Sequence, residues 1–97
     1  MAKAYWVVSI RKILNADRMA AYSQLAAPAI AAGGGRIIAR GTAKYAFEAG
    51  LLERTVVTEF ASLEAARATF DSEAYQAAVK VLDGAAERDF RIVEGTE

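Results

Sequence analysis

The chain of 97 residues contains no cysteine and no histidine. Without cysteine it can form no disulfide, iron–sulfur cluster or thiolate metal site. Without histidine it lacks the commonest general base at neutral pH, the commonest zinc ligand and the usual axial haem ligand. Catalysis by Ser–His–Asp, Cys–His or His–Asp groups is therefore excluded, and we expect neither a metal ion nor another cofactor.

The chain also has no excess of charge of either sign, since 12 lysines and arginines balance 12 aspartates and glutamates. A neutral chain has no net field to attract nucleic acid or anionic lipid. The longest alanine-rich stretch, residues 26–32, is far too short to span a bilayer. The first residues lead directly into a strand pattern without the features of a signal peptide. We therefore expect a cytoplasmic protein that binds neither nucleic acid nor membranes.

The order of hydrophobic patterns predicts a single domain over residues 1–97. Extended patterns occupy residues 4–10, 36–47, 51–60 and 90–94, and helical patterns occupy residues 15–32 and 62–82. The resulting order βαββαβ is typical of a ferredoxin-like α+β fold, in which a four-stranded antiparallel sheet carries both helices on one face. The first strand is nearly continuous in aromatic and β-branched residues, which predicts a central position with both faces buried.

Local signals mark the helix ends. Asn15, Ser62 and Ser72 are suitable N-caps, so the second helical stretch is expected to break near Asp71. Three consecutive glycines, residues 33–35, should end the first helix, and Pro28 should make its last turn irregular.

The sheet face opposite the helices would carry Val7, Ile38 and Val57 and would remain uncovered in one chain. In addition, 23 of the 97 residues are alanine, so the core of a single chain should be thin. A large apolar face on a small protein usually meets a partner, and two-fold homodimers are the commonest assemblies. We therefore expect a homodimer in which two sheets pack together as a dimeric α/β barrel.

A hairpin turn centred on Ala49 and Gly50 would place Arg40 opposite Glu59 on neighbouring strands, with a bulge at Gly41 just beyond the pair. In one interpretation the pair is catalytic: Arg40 binds an anionic or carbonyl oxygen while Glu59 accepts a proton. In the other, it is a structural ion pair at the subunit interface.

The aromatic residues suggest a binding pocket. Trp6 lies on the predicted central strand, where a buried indole N–H needs a hydrogen-bond acceptor. Tyr45 and Tyr75 are the tyrosines expected to present a hydroxyl to a pocket between sheet and helices. Such a pocket would suit a small, partly apolar ligand, with Trp6, Arg40, Tyr45, Glu59 and Tyr75 as candidate binding residues.

Four ordered blocks of sequence resemble the domain-of-unknown-function 1330 (DUF1330) family from end to end: GGRIIARG at 34–41, VVTEF at 56–60, SEAYQAA at 72–78 and IVEG at 92–95. That family resembles a branch of the dimeric α/β-barrel proteins, which include cofactor-free monooxygenases, lactone isomerases and ligand-sensing domains. The resemblance implies a dimeric barrel but no particular reaction.

Two functions remain open at this stage. One is a small-molecule enzyme that needs no cofactor, monooxygenase-like or isomerase-like, with Arg40 and Glu59 at its centre. The other is a non-catalytic dimeric binding or accessory protein, in which the same two residues hold the subunits together.

Overall fold

The computed structural model of the protein describes residues 2–96. Its elements in chain order are β1 (Ala4–Ile13), α1 (Ala16–Ala32), β2 (Arg36–Thr42), β3 (Arg54–Phe60), α2 (Leu63–Asp71), α3 (Glu73–Leu82) and β4 (Ala86–Glu94). The predicted order βαββαβ is confirmed, and the second helical stretch is broken at Ser72. Within the described range, no helix combines the length and the apolar character needed to cross a membrane.

The four strands form one antiparallel sheet in the order β2-β3-β1-β4. The central position of β1 agrees with the sequence prediction, and β2 and β4 lie at the two edges of the sheet. Both strands are longer than predicted, because β1 continues beyond residue 10 to Ile13 and β4 begins before residue 90, at Ala86.

The helices cover only one face of the sheet. Along β1, Ala4, Trp6, Val8 and Ile10 are buried beneath them, whereas the alternate residues are partly exposed. The prediction that β1 is buried on both faces is therefore wrong for the single chain. We call the uncovered side of the sheet the open face.

Aromatic side chains fill the centre of the core. The Trp6 ring centroid lies 4.9 Å from that of Phe60, 4.8 Å from that of Tyr75 and 5.0 Å from that of Phe90. Tilted pairs at these distances are favourable and bury a large apolar area. They fix the spacing between the sheet and α3.

The predicted caps are present at the helix ends. The side chains of Asn15, Ser62 and Ser72 accept hydrogen bonds from backbone N–H groups in the first turns of α1, α2 and α3. Despite Pro28, α1 continues without a break to Ala32, and its cap is Gly33.

The hairpin between β2 and β3 differs from the prediction. The strands stop at Thr42 and Arg54, and residues 43–53 form a long loop with a turn in which Gly50 N–H donates to the Phe47 carbonyl at 2.9 Å. The two strands do not leave this turn symmetrically, so the register predicted from its position is wrong.

The observed register places Arg36, not Arg40, opposite Glu59, and places Arg40 opposite Val56. The register also shifts between Ile37 and Ala39, which makes Ile38 the bulged residue. The bulge predicted at Gly41 is therefore wrong, since Gly41 pairs regularly with Thr55.

Candidate functional site

A cavity of about 130 Å³ lies between α1 and the face of the sheet that the helices cover. Helix α1 contributes one wall, and its lining residues recur at spacings of three and four because they share the face that packs on the sheet. These residues are Met19, Tyr22, Ser23, Ala26, Ala27 and Ile30.

The inner wall of the cavity is aromatic. Trp6, Tyr75 and Phe90 line it, and Tyr75 is completely buried. The indole N–H of Trp6 donates to the Ala66 carbonyl at 3.0 Å, as its burial required, and this bond fixes the ring. A flat apolar molecule could therefore pack against a rigid surface here.

Two tyrosines and an arginine meet in the same cavity. The hydroxyls of Tyr22 and Tyr75 are 2.6 Å apart, and one Nη of Arg88 donates to both, at 3.0 Å and 3.3 Å respectively. The Arg88 guanidinium also lies over two rings, 5.0 Å from the centroid of Tyr22 and 5.2 Å from that of Phe90. We call these three residues the phenol–arginine cluster.

Tyr22 and Arg88 keep their protons at neutral pH. Burial raises the pKa of the Tyr22 phenol well above its ordinary value of 10.0, and interaction with Tyr75 raises it further, although Arg88 opposes the shift. Burial lowers the pKa of Arg88, but its interactions with Tyr22 and Tyr75 outweigh this effect and raise the pKa overall. The cluster is therefore a set of hydrogen-bond donors around a fixed positive charge.

Two further arginines, Arg40 and Arg54, line the cavity from β2 and β3. Both are exposed, which places them at its mouth. Arg54 of β3 and Arg88 of β4 each pair with Ile10 of the central strand β1. These three residues therefore form a row across the sheet on the face that the helices cover. The cavity thus combines an apolar aromatic wall with three guanidinium groups.

A second hollow, of about 270 Å³, lies between the end of α1 and the α2–α3 junction. Its lining is mainly alanine, with Gly33, Thr69 and Ser72, and contains no charged side chain. It offers little that could orient a ligand. Among residues 2–96, no group of three or more acidic side chains is placed to hold a metal ion.

The sequence model of one family matches nearly the whole chain. The model is described as a domain of unknown function, DUF1330, and it matches residues 3–96. The chain belongs to the DUF1330 family. No match was found among curated proteins.

Solved structures with the same fold are similar to this DUF1330 protein at low sequence identity. A protein of unknown function from Rhodopseudomonas palustris is 16% identical, with a TM-score of 0.75 over 99% of this chain and 84% of that one. A dimeric ferredoxin-like protein of unknown function from Thermobifida fusca is 16% identical, with a TM-score of 0.64 over 96% of this chain and 91% of that one. SnoaB, a cofactor-independent oxygenase from Streptomyces nogalater, is 7% identical, with a TM-score of 0.65 over 100% of this chain and 96% of that one. Such similarities show the fold alone.

Of the five residues predicted from the sequence of this DUF1330 protein, Trp6, Arg40 and Tyr75 line the cavity. Tyr45 does not, because it lies in the loop 43–53 with 81% of its surface exposed.

Glu59 lies on the open face, where Lys3 and Arg36 each approach its carboxylate at 3.3 Å. The predicted pairing of Arg40 with Glu59 is wrong, because both the register and the bulge separate the two residues. Neither the catalytic nor the structural interpretation of that pair survives in its original form.

Sequence reasoning missed Tyr22 and Arg88, both of which line the cavity. The spacing of Tyr22 from Ala26 and Ala29 places it on the sheet-facing side of α1, but such spacing by itself indicates only packing. Arg88 precedes the point at which β4 was predicted to start. The alternation of Phe90 and Ile92, extended back by two residues to Arg88, would have placed the Arg88 guanidinium on the helix-covered face.

Proposed function

We propose that this DUF1330 protein binds a small, flat organic molecule in the cavity between α1 and the sheet. The observation that carries the proposal is the convergence of an aromatic wall and the phenol–arginine cluster in one cavity. Ligand sites combine a mainly apolar lining with a few polar groups that fix orientation, and this cavity has both.

The size of the cavity restricts the ligand. A volume of about 130 Å³ is close to that of an engineered cavity of ~150 Å³ in another protein that binds benzene. One ring with small substituents fills it. A larger molecule would have to extend through the mouth beside Arg40 and Arg54.

Trp6 provides a direct test because it is the only tryptophan and lines the cavity. Titration with a panel of one-ring compounds should change its emission for those that bind. Replacement of Ala27, which lines the cavity, by leucine should weaken this response. Ala31→Leu is the matched control, since Ala31 is exposed on the same helix and outside the lining. An unchanged emission for every compound, or equal weakening in both variants, would contradict the proposal.

We further propose that binding serves a reaction that needs no cofactor. Arg40 keeps the oxygen-binding role expected from the sequence, but the base role of Glu59 is withdrawn because its carboxylate lies on the open face. The three guanidiniums instead favour the deprotonated form of an acidic enol or phenol, and stabilisation of developing negative charge is a strong source of catalysis. The similarity in fold to an oxygenase described as cofactor-independent supports this direction.

Once a ligand is identified, mass spectrometry after incubation in air and under nitrogen separates the alternatives. A monooxygenase without a cofactor takes its electrons from the ligand, so in air the ligand gains one oxygen atom and loses two hydrogens while the second oxygen atom leaves as water. An isomerase gives a product of unchanged mass in both atmospheres. An unaltered ligand in both would favour the second candidate, a non-catalytic binding or accessory protein.

The open face supports the proposal of a homodimer. Its middle carries Tyr5, Val7 and Val57, all partly exposed, and the exposed Val93 of β4. Ion-paired clusters lie towards both ends of this apolar band: Lys3 and Arg36 with Glu59, and Arg11 with Glu53 and Asp89. Arg91, opposite Val7 on the edge strand β4, also binds Asp89 of the second cluster. An apolar centre with a charged rim is the usual anatomy of a protein interface. Solved structures of this fold that are described as dimeric support the same assembly.

Light scattering after gel filtration tests the homodimer. Val7→Arg places a charge in the apolar band and should give monomers, because a buried unpaired charge is strongly unfavourable. Leu25→Arg, on an exposed position of α1, should leave the assembly unchanged. A monomeric native protein, or a Val7→Arg variant that remains dimeric, would contradict the proposed interface.

A further inference from the structure

The cavity has an unbalanced charge. Arg40, Arg54 and Arg88 line it, and no aspartate or glutamate does. Within residues 2–96, none of these three guanidiniums forms an ion pair, whereas Arg11, Arg36, Arg67 and Arg91 each bind a carboxylate. Of the four arginines for which residues 2–96 show no ion pair, three line the cavity, and the fourth, Arg18, donates to the Val81 carbonyl.

Arg88 is the most constrained of the three. It is half-buried, and its partners in the structure are two neutral phenols and the faces of two rings. A guanidinium carries five N–H donors, so these contacts leave part of its fork unused. A charge removed from water is costly unless it is paired, so an anion in the cavity would relieve this cost.

The two phenols add one further donor. Of their two hydroxyl protons, one forms the 2.6 Å bond between the oxygens. The phenol that accepts this bond also accepts from Arg88, and its own proton remains available. The cluster can therefore donate both N–H and O–H bonds to one acceptor, while it has no carboxylate to receive a proton from a ligand.

We infer that the ligand is a one-ring acid that binds as its anion, with the charged oxygen held by Arg88 and the Tyr22–Tyr75 pair and the ring against Trp6 and Phe90. This inference rests on the proposed function, since it names the class of molecule that the cavity binds. Arg40 and Arg54 at the mouth would add attraction for the same charge. The acidic oxygen belongs to a carboxylate or to an ionised phenol or enol.

Calorimetric titration with three matched one-ring probes separates these cases. Benzoate presents a carboxylate, 4-nitrophenol presents a phenolate above neutral pH, and benzamide is a neutral isostere of benzoate. At least one anion should bind about tenfold or more tightly than benzamide, because charge-assisted hydrogen bonds are the stronger kind. Preference for benzoate would identify a carboxylate site, and preference for 4-nitrophenolate would identify a phenolate or enolate site.

Ionisation of 4-nitrophenol supplies a readout that does not depend on affinity alone. Its anion is yellow, so the apparent pKa of the bound probe can be read from absorbance. A tenfold preference for the anion lowers this apparent pKa by about one unit. Most of the shift should be lost in Arg88→Gln, and more of it should be retained in Arg88→Lys, which keeps the charge but loses the planar fork.

Arg54→Gln keeps the inference testable if Arg88→Gln does not fold, because Arg54 is exposed and its loss should still reduce the anion preference severalfold. Arg67→Gln is the control with the same change of charge; Arg67 pairs with Asp71 on α2, outside the cavity lining. Equal binding of anions and benzamide would overturn the inference and leave the proposed function intact. Absence of binding by all three probes at about 10 mM would overturn both.

Discussion

Removal of the two cluster hydroxyls, singly and together, is predicted to destabilise the protein non-additively. Tyr22 and Tyr75 share a hydrogen bond of 2.6 Å, and each also accepts from Arg88. Tyr22→Phe and Tyr75→Phe each delete this shared bond. The double variant deletes it only once, so its effect should be smaller than the sum of the two single effects.

The magnitude follows from the number of bonds lost. Each single variant loses the shared bond and one bond from Arg88. Because a hydrogen bond contributes about 1 kcal/mol net, the free energy of unfolding of each single variant should fall by about 1–2 kcal/mol. A domain of this size loses roughly 4–8 °C of Tm per kcal/mol. The double variant also deprives Arg88 of both oxygen acceptors, and this loss increases the cost of the double variant relative to the sum of the two single costs. Because Arg88 lines an open cavity where water can replace them, the shared bond should dominate, and a coupling of about 1 kcal/mol is expected.

Urea unfolding followed by Trp6 emission measures the four free energies at one fixed protein concentration, since assembly makes stability depend on concentration. A second cycle combines Tyr22→Phe with Tyr45→Phe as a control. Tyr45 is almost fully exposed, so this cycle should be additive. Coupling below about 0.3 kcal/mol between Tyr22 and Tyr75 would refute the shared bond as a source of stability.

Three further predictions concern pH and close packing. Because burial raises the pKa of Tyr22 in the folded state, its contribution is complete below the ordinary phenol pKa of 10.0 and is lost as the pH rises above it. The urea midpoint should therefore fall more steeply above that pH in the native protein than in Tyr22→Phe, and equal slopes would contradict the shift. Hydrogen bonding from Arg91, with charge attraction from Arg91 and Arg11, lowers the pKa of Asp89, so its contribution is present above the ordinary carboxyl pKa of 3.8 and is lost as the pH falls through the lower folded value. Asp89→Asn should therefore reduce the fall of the urea midpoint at acid pH. The same fall in the variant and the native protein would show that the ion pairs of Asp89 do not contribute to stability. Gly33→Ala should cost about 1–3 kcal/mol because a methyl group there collides with the side chain of Thr69, and the added change Thr69→Ala should recover part of it in thermal unfolding; no recovery would assign the cost to the helix end itself.

The order of elements could be predicted because it depends on short-range signals. The caps Asn15, Ser62 and Ser72 act on residues three positions away, and the break between α2 and α3 follows from two capping serines separated by one short helix. The central position of β1 followed from its composition. Each of these features is decided within about one turn or one strand.

The site could be predicted only in part because its geometry depends on long-range pairing. Trp6 and Tyr75 were found because a core of this size buries its large aromatics. Tyr45 was expected to present its hydroxyl to the same pocket, but it lies in a loop whose path no local pattern determines. Arg40 was found for the wrong reason, since the register that paired it with Glu59 does not occur.

The bulge at Ile38 explains how Arg40 reaches the cavity. Strict alternation places residues three positions apart on opposite faces of a sheet. Ile37 and Arg40 nevertheless both line the cavity, because Ile38 is the extra residue between them. Glu59 faces the other side of the sheet, where Lys3 and Arg36 bind it.

The same alternation separates two pairs of adjacent opposite charges, one at the start of β3 and one in β4. Arg54 lines the cavity while its neighbour Glu53 binds Arg11 outside it, and Arg88 lines the cavity while its neighbour Asp89 binds Arg11 and Arg91. Adjacent opposite charges cancel in the composition, so a chain of zero net charge showed no sign of an anion site. In the folded chain, the two members of each pair lie on opposite sides of the sheet, so the opposite charges are separated. A neutral sequence therefore builds a cavity whose ionised side chains are all positive, and the net charge of a chain does not indicate whether it can bind a small anion.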